Sequence, residues 1–382
     1  MTTTSRFSPA PAPAPARDLR EKLRAAFPVT VTSDRPGYTR EDWALLGRLG
    51  LLGASVPAEL GGGGLSAVDT AAMFEVAGEV CHDTGMLFGA AAQLFACAMP
   101  LAEFRSTAVH ERWLAAMCAG EAIAGNAMTE ADAGSDTSRL ATTATRVEGG
   151  HLLDGTKTWV SNGPVADVYL VYATTDPAAR HLGITAFLVE RADDGVHPGP
   201  AHDKAGLRSC PAGPLRLERC FVPDERTLGP AGAGAAVFGH SMSWERGCLF
   251  ALYVGLQQRL LDRCVGHARQ RRQFGQPIGQ FQAVADRIVG MKMRLESGRL
   301  LLRRACEALD EGLPEAGWAA MAKLSISEGT VASALDAVNL LGGAGYLRDE
   351  LVELVLRDSM PATIFSGTSD IQRRIVAREL GL

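Results

Sequence analysis

Glu245 stands in the run SMSWERGCLFALYVG at residues 241–255, a carboxylate on a stripe that reads as apolar. On a helix it shares its face with Met242 at i−3, Leu249 at i+4, Leu252 at i+7 and Leu256 at i+11. An ionised carboxylate among such neighbours loses hydration that they cannot replace, so it is paired, protonated or engaged in chemistry. Arg246 is next in the chain. Successive helical positions point about 100° apart, so it is not the natural partner. The residues alone leave structural pairing and catalysis both open.

Two further stretches carry polar groups at useful spacing. AMTEADAGSD at 127–136 is a strand end at Thr129 running into small residues, where backbone amides and the Ser135 hydroxyl can cradle an anion or heteroatom. Loops of that composition are also commonplace. GTKTWVSNG at 155–163 alternates Trp159 and Ser161 onto one strand face, so an indole plane and a hydroxyl can meet one ligand, although a core role for the Trp has the same pattern. The eight histidines form no HxxxH or HExxH pair and the eight cysteines no CxxC, so no metal site is expected. Cysteines set in apolar runs such as FACAMP read as reduced core residues of a cytoplasmic protein.

The elements that must position these residues fall into three regions, as a chain of 382 residues exceeds one core. Residues 1–16, with their Pro-Ala alternation, read as a flexible tail. Residues 17–121 have helical patterning with long Ala-rich runs, broken by the loop-forming glycines 61–64. Residues 122–230 are short β-branched runs separated by turns, with a hairpin signal at Gly149 and Gly150. After a glycine-rich linker at 229–239, helical spacing returns through 231–382, where Phe281, Val284, Ile288, Met291 and Leu295 form a bundle seam. A net charge of −5 without a basic tract argues against nucleic-acid binding. No run reads as approaching the roughly 18 apolar residues of a membrane span, so no membrane partner is expected.

Taken together, the two polar stretches and VPAELGGGG, KAGLRSCPAG, RQRRQFGQPIGQFQ, LLGGAGYLRD and FSGTSDIQRRIVAREL, in that order, resemble the acyl-CoA dehydrogenase superfamily from about residue 42 onward. The resemblance implies a multi-domain α+β flavoprotein with an N-terminal α-helical domain, a middle β-barrel-like domain and a C-terminal four-helix bundle. It further implies a homotetramer binding FAD non-covalently. By the same resemblance Met128, Thr129, Trp159 and Ser161 contact the flavin ring, and Gly134 and Ser135 the pyrophosphate or the thioester arm. Arg271, Phe274 and Gln282 reach FAD from a neighbouring subunit, Asn339, Gly342 and Gly343 its adenine end, and Thr368 and Asp370 the loop over it. The family usually has Thr or Ser at Gln273, and often Gln or Glu at Asp370. Many relatives carry the catalytic Glu in a Tyr-Glu-Gly-Thr loop, but residues 365–368 here read Phe-Ser-Gly-Thr, and Ser366 cannot act as a carboxylate base. A minority, the isovaleryl type among them, keeps the Glu on the first bundle helix, and that position matches Glu245. Base and flavin would then sandwich the substrate, taking an α-proton and a β-hydride.

Within the superfamily, FACAMP, LRSCPAG, SMSWER and the LRDSM and ATIFSGTSD segments most resemble the L-prolyl-peptidyl-carrier-protein dehydrogenases of pyrrole antibiotic pathways. That resemblance implies four-electron oxidation of a prolyl thioester, on the phosphopantetheine arm of an acidic carrier protein, to pyrrole-2-carboxyl thioester. It sets Trp244, Arg246, Leu249, Phe365 and Ser366, with Ser135, around the substrate, and bulky Trp244, Leu249, Tyr253 and Phe365 should close off an acyl tunnel. Arg-rich segments such as LLRR at 301–304 could receive the carrier or simply form a solvated helix face. The reoxidant is an electron-transfer flavoprotein or molecular oxygen. Alternatives are a short- or branched-chain acyl-CoA or other carrier-protein dehydrogenase, a flavin monooxygenase on the same fold, and a non-catalytic assembly protein.

Overall fold

The structure, a computed structural model, describes residues 14–27, 34–313 and 316–382. Helix α1 (Ala14–Ala26) buries Ala16, Leu19 and Leu23 at spacings of three and four and leaves its polar residues outward. The expected tail through residue 16 therefore overlaps a helix, and its first thirteen residues lie outside the described ones. Helix α2 (Arg40–Arg48) starts on a capping box between Thr39 and Asp42, and α3 (Ala67–Val80) on Ser66, so hydroxyls satisfy first-turn amides. Helix α4 (Thr84–Gln93) runs through a π turn (Leu94–Ala98) into α5 (Met99–Phe104), and α6 (Ala108–Ala119) closes the region. The π turn opens the helix ahead of Pro100, a residue with no N–H to give to the carbonyl four back.

Thr84–Phe104 corrects one expectation: its 21 residues form a stretch apolar and long enough by composition to span a bilayer. Nearly all of its most apolar part is buried inside the protein, so it is placed as a core helix.

Strand β1 (Ala124–Ala127) pairs in parallel with β4 (Val168–Thr174), the centre of a sheet that also holds β2 (Thr143–Val147), β3 (Gly150–Ser161), β5 (Ile184–Glu190), β6 (Val196–Pro198), β7 (Ala212–Pro223) and β8 (Thr227–Leu228). The sheet order is β6-β7-β3-β2-β4-β5-β8. In the β2–β3 hairpin the loop residues are Glu148 and Gly149 (φ 74°), one earlier than expected, because Gly150 already pairs with Val147. A Cβ on Gly150 would lie 2.2 Å from the Val222 carbonyl, which explains the second glycine.

Helix α7 (Gly234–Trp244) begins inside the stretch expected as linker. It continues through a second π turn (Glu245–Leu249) into α8 (Ala251–Gln270), which packs with α9 (Gln282–Asp310) and α10 (Ala316–Leu341). Helices α11 (Val352–Ser359) and α12 (Ser369–Glu379) lie against α10. Met291 and Leu295 of the expected seam are in the core, while Phe281, Val284 and Ile288 are half-buried.

Candidate active site

Glu245 begins the second π turn, and that turn packs against the first, at Leu94–Ala98. Two such widened turns in contact mark a place where helix regularity is given up, as is frequent at functional sites. The carboxyl is 8% exposed, and burial pushes its pKa up from the usual carboxylate range to about 7. The Ser366 hydroxyl, which donates to Oε2 at 2.5 Å, and the nearby Arg246 charge pull in the opposite direction.

Arg246 does not hydrogen-bond its neighbour. Its Nε donates to the Ser366 carbonyl at 2.9 Å, so the two consecutive side chains meet one serine from two sides. Ser366 sits in the left-handed region (φ 53°) beside Gly367 (φ 87°), and the Gln372 amide donates to both their carbonyls, at 3.2 and 2.8 Å. A Cβ on Gly367 would come within 2.7 Å of that amide, so the loop needs glycine for its φ and for its space. The loop position and the helix position of the two family patterns therefore converge on one point in space.

Aromatic rings wall this point. Phe365 stands among Phe88, Phe250 and Tyr253, with ring centroids 4.7, 5.6 and 6.2 Å away. Trp244 lies parallel to Phe95 at 6.3 Å, and Leu249 is fully buried. A cleft of about 430 Å³, lined in part by Met128, Ile184, Phe238, Met242 and Arg246, leads in from the sheet. Its volume lies in the range of small-molecule sites.

On the sheet side, the Thr129 carbonyl accepts from Thr158 N at 2.8 Å, tying the end of β1 to β3. Trp159 occupies the bulge between Lys157 and Val160 with φ 56°, and the bulge turns its indole out of the core to 60% exposure, leaning on His202 at 4.6 Å. A large aromatic in a left-handed conformation with a free face is a feature that packing alone does not explain. Ser161 is half-buried, Ser135 and Gly134 are exposed, and nothing lies within 4 Å of a Cβ on Gly134. An open indole, hydroxyls at Thr129, Ser135 and Ser161, and an unobstructed loop fit a planar ring with polar edges, as flavin has.

The remaining expected contacts lie apart. Arg271 and Phe274 are exposed, Phe274 at 93%, and the Gln282 and Asn339 amides bond Asp286 and the Leu335 carbonyl of their own helices. Gly342 and Gly343 are exposed with open space around them. Among the described residues no contact joins these six to Trp159 or Glu245. Thr368 caps α12 through Ile371 N, and Asp370 pairs with Arg373 at 3.1 Å.

Two features escaped the sequence reading. Lys157 and Glu130 form a buried ion pair at 2.6 Å directly under Met128 and Thr129, and a Lys set between threonines on a strand next to Trp159 was its only signal. Ile184 and Phe238 come to the cleft from β5 and α7, in segments with no motif, and Tyr172 of β4 packs edge-on against Phe238.

The N-terminal, middle and C-terminal domains of acyl-CoA dehydrogenases match residues 17–121, 125–220 and 232–381. The chain belongs to the acyl-CoA dehydrogenase family. The dehydrogenase is 48% identical over 346 residues to L-prolyl-[peptidyl-carrier protein] dehydrogenase of Pseudomonas fluorescens, covering 90% of this chain and 91% of that one. It is 36% identical to the mitochondrial isovaleryl-CoA dehydrogenase of Solanum tuberosum, covering 91% and 84%. Its fold superposes on PigA solved with FAD and proline with a TM-score of 0.93 at 40% identity, covering 98% of this dehydrogenase and all of that chain.

The Ser366 hydroxyl stabilises the ionised form of Glu245, so its removal raises the pKa of the carboxyl. A hydrogen bond to a charged group contributes about 1.5–3 kcal/mol, which is about one to two pH units. Ser366→Ala is expected to move the acid limb of kcat/KM upward by that amount, read from a pH–rate profile of flavin reduction. An unmoved limb would show that Ser366 does not tune a catalytic role of Glu245.

Proposed function

We propose that the protein is an FAD-dependent dehydrogenase that oxidises an L-prolyl group, held as a thioester on a peptidyl carrier protein, to pyrrole-2-carboxyl thioester in natural-product biosynthesis. The observation that carries this reading is the buried Glu245 carboxyl, which accepts from Ser366 beside a cleft lined in part by Met242 and Arg246, while Phe365 and Trp244, its neighbours in sequence and contact, pack on Phe88, Phe250 and Phe95. Bulky rings packed next to the carboxyl suit a compact acyl group better than a long chain. The 48% identity to a protein with that activity supports the same substrate.

FAD, when bound, supplies the acceptor for the hydride. The chain's own residues do the rest. Glu245 takes the α-proton of the thioester through its free oxygen, while Ser366 holds the other oxygen and so fixes the direction of the carboxyl. Its pKa of about 7 matches it to carbon deprotonation at neutral pH, and kcat/KM is expected to rise with pH through that value. Met128, Thr129, Trp159 and Ser161 hold the flavin ring, and Gly134 and Ser135 the arm beside it. Trp244, Leu249 and Phe365 exclude water from the acyl group. This step removes two electrons, and a second two-electron oxidation of the resulting pyrroline, with loss of a proton from another ring position, completes the four-electron oxidation to the aromatic pyrrole.

Arg271, Phe274, Gln282, Asn339, Gly342, Gly343, Thr368 and Asp370 complete FAD binding across copies in a homotetramer. The exposure of apolar Phe274, Val289, Met293, Leu300 and Leu335 supports such an assembly. Eight buried free thiols suit a cytoplasmic setting. An acidic carrier protein presents the substrate, and oxygen or an electron-transfer flavoprotein removes the electrons.

The test is anaerobic mixing of the yellow holoenzyme with L-prolyl carrier protein, isovaleryl-CoA and butyryl-CoA in parallel, following flavin bleaching. Bleaching by the prolyl carrier alone is the expected result. Bleaching by an acyl-CoA in its place would move the enzyme to branched- or short-chain oxidation.

A further inference from the structure

The loop that brings Ser366 to Glu245 is held in an uncommon shape. Ser366 (φ 53°) and Gly367 (φ 87°) are consecutive left-handed residues, a conformation that a side chain with a Cβ keeps only where its surroundings enforce it. One side chain spans both. Gln372 of α12 is fully buried, and its amide nitrogen donates to the Ser366 carbonyl at 3.2 Å and to the Gly367 carbonyl at 2.8 Å. Two carbonyl acceptors require an NH2 at that point, so an apolar tip cannot replace it. The Ser366 carbonyl also accepts from Arg246 Nε at 2.9 Å, which fills its second lone pair and fixes the peptide plane. With the plane fixed, the Ser366 side chain leaves the backbone in one direction, and its hydroxyl meets Glu245 Oε2 at 2.5 Å. Thr368 ties the loop to α12 as well, accepting from Ile371 N at 3.3 Å and from Gln372 N at 3.0 Å, but neither bond reaches Ser366.

We propose that Gln372 is a positioning residue for the base: its amide keeps residues 366 and 367 left-handed, and that conformation keeps the Ser366 hydroxyl on Glu245. Without the amide the loop can relax, the hydroxyl leaves Oε2, and the carboxyl loses both its aim and a donor that favours its ionised form. The other charged and titratable groups facing Glu245 are Arg246 of the same turn, which favours ionisation, and Cys97 of the first π turn and Tyr172 of β4, both kept neutral by burial. Lys323 of α10 stands near Arg246. Arg246 shares the Ser366 carbonyl, so its loosening acts in the same direction as loss of the hydroxyl. The inference rests on the reading of Glu245 as the base, and not on which acyl group is oxidised.

The test is a double-mutant cycle of Gln372→Met and Ser366→Ala in the flavin-loaded protein, read as the pH dependence of single-turnover bleaching. The substrate is whichever of L-prolyl carrier protein and isovaleryl-CoA bleaches wild type, so a failure of the prolyl reading leaves the cycle intact. Met matches Gln in length and has no hydrogen to donate. Gln372→Met is expected to move the acid limb upward by about one pH unit, and so to slow bleaching on that limb about tenfold. In the Ser366→Ala background it is expected to add little further shift, because the hydroxyl that it positions is gone. An unmoved limb in the single variant overturns the proposal, and so do shifts that add in full. If Gln372→Met does not fold, Gln372→Leu takes its place, and failure of both to fold makes the amide a general support of α12 and overturns the proposal too. Bleaching of Glu245→Gln at the wild-type rate would overturn the base, and this inference with it.

Discussion

Glu245→Gln is expected to keep its flavin and its fold and to lose flavin reduction by the prolyl carrier protein by roughly 10²–10⁴-fold. Gln preserves the shape and can still accept from Ser366, but has no basic oxygen, so the loss separates proton removal from binding. The same substitution should alter stability in the opposite sense. The folded pKa of Glu245 is raised to about 7, so the fold binds a proton that the unfolded chain releases near its ordinary value of 4.5. Stability from this group is fully present below that lower value and is lost as pH rises through about 7. Gln carries no such titration. The variant is therefore expected to gain stability relative to wild type with increasing pH, by an amount on the order of 3 kcal/mol at pH 8. Urea unfolding at pH 5 and pH 8 reads the difference directly, and equal pH dependence in both proteins would show that Glu245 is ionised in the fold at no cost.

Lys157→Met should have the largest effect on stability. The Lys157 ammonium has 0% side-chain exposure and contacts Glu130 at 2.6 Å and the Met128 carbonyl at 3.2 Å. Glu130 also accepts from the amides of Ala141 and Thr142, at 2.6 and 3.0 Å, so its charge has several bonds but, among the described residues, only one paired countercharge. Removing one member of a buried pair costs about 3–5 kcal/mol, because the other charge stays behind. The double variant with Glu130→Gln should recover part of that. Gln keeps one acceptor for the two amides and leaves the other short of a partner, at about 1–3 kcal/mol. The carbonyl of Met128 loses its anchor at the same time, so weakened flavin retention is expected in both variants. Denaturant midpoints and flavin release on dilution distinguish the two effects. A single variant as stable as wild type would mean that Glu130 is neutral in the fold.

The three-part order of helix, sheet and helix was legible because period and composition change sharply near residues 120 and 231, and local patterning is enough to record such a change. The polar stretches around Met128, Trp159 and Ser161 were legible for a similar reason, as their chemistry lies within single strands and turns. The chain also marked Glu245, since a carboxylate on an apolar stripe is anomalous at any register.

What the sequence concealed has a common cause. The π turns at Leu94–Ala98 and Glu245–Leu249 each shift the helical register, and they are stabilised by packing against one another, a contact across some 150 residues. Pro100 is a local mark of the first, but no local window carries the contact between the two. Ser366 reads as the loss of a base, and only the fold shows its hydroxyl on the Glu245 carboxylate, 121 positions away. Tyr172 is one aromatic in a uniformly apolar strand, indistinguishable from Tyr169, whose hydroxyl bonds the Gly163 carbonyl at 2.8 Å. The two lie on opposite sheet faces, and which face meets the cleft is decided by how the sheet docks on α7. By itself the sequence determined the kinds of element, their order and the chemical groups available. The tertiary structure decided which groups meet, because hydrogen-bond partners and burial depend on contacts between distant segments that side-chain spacing does not encode.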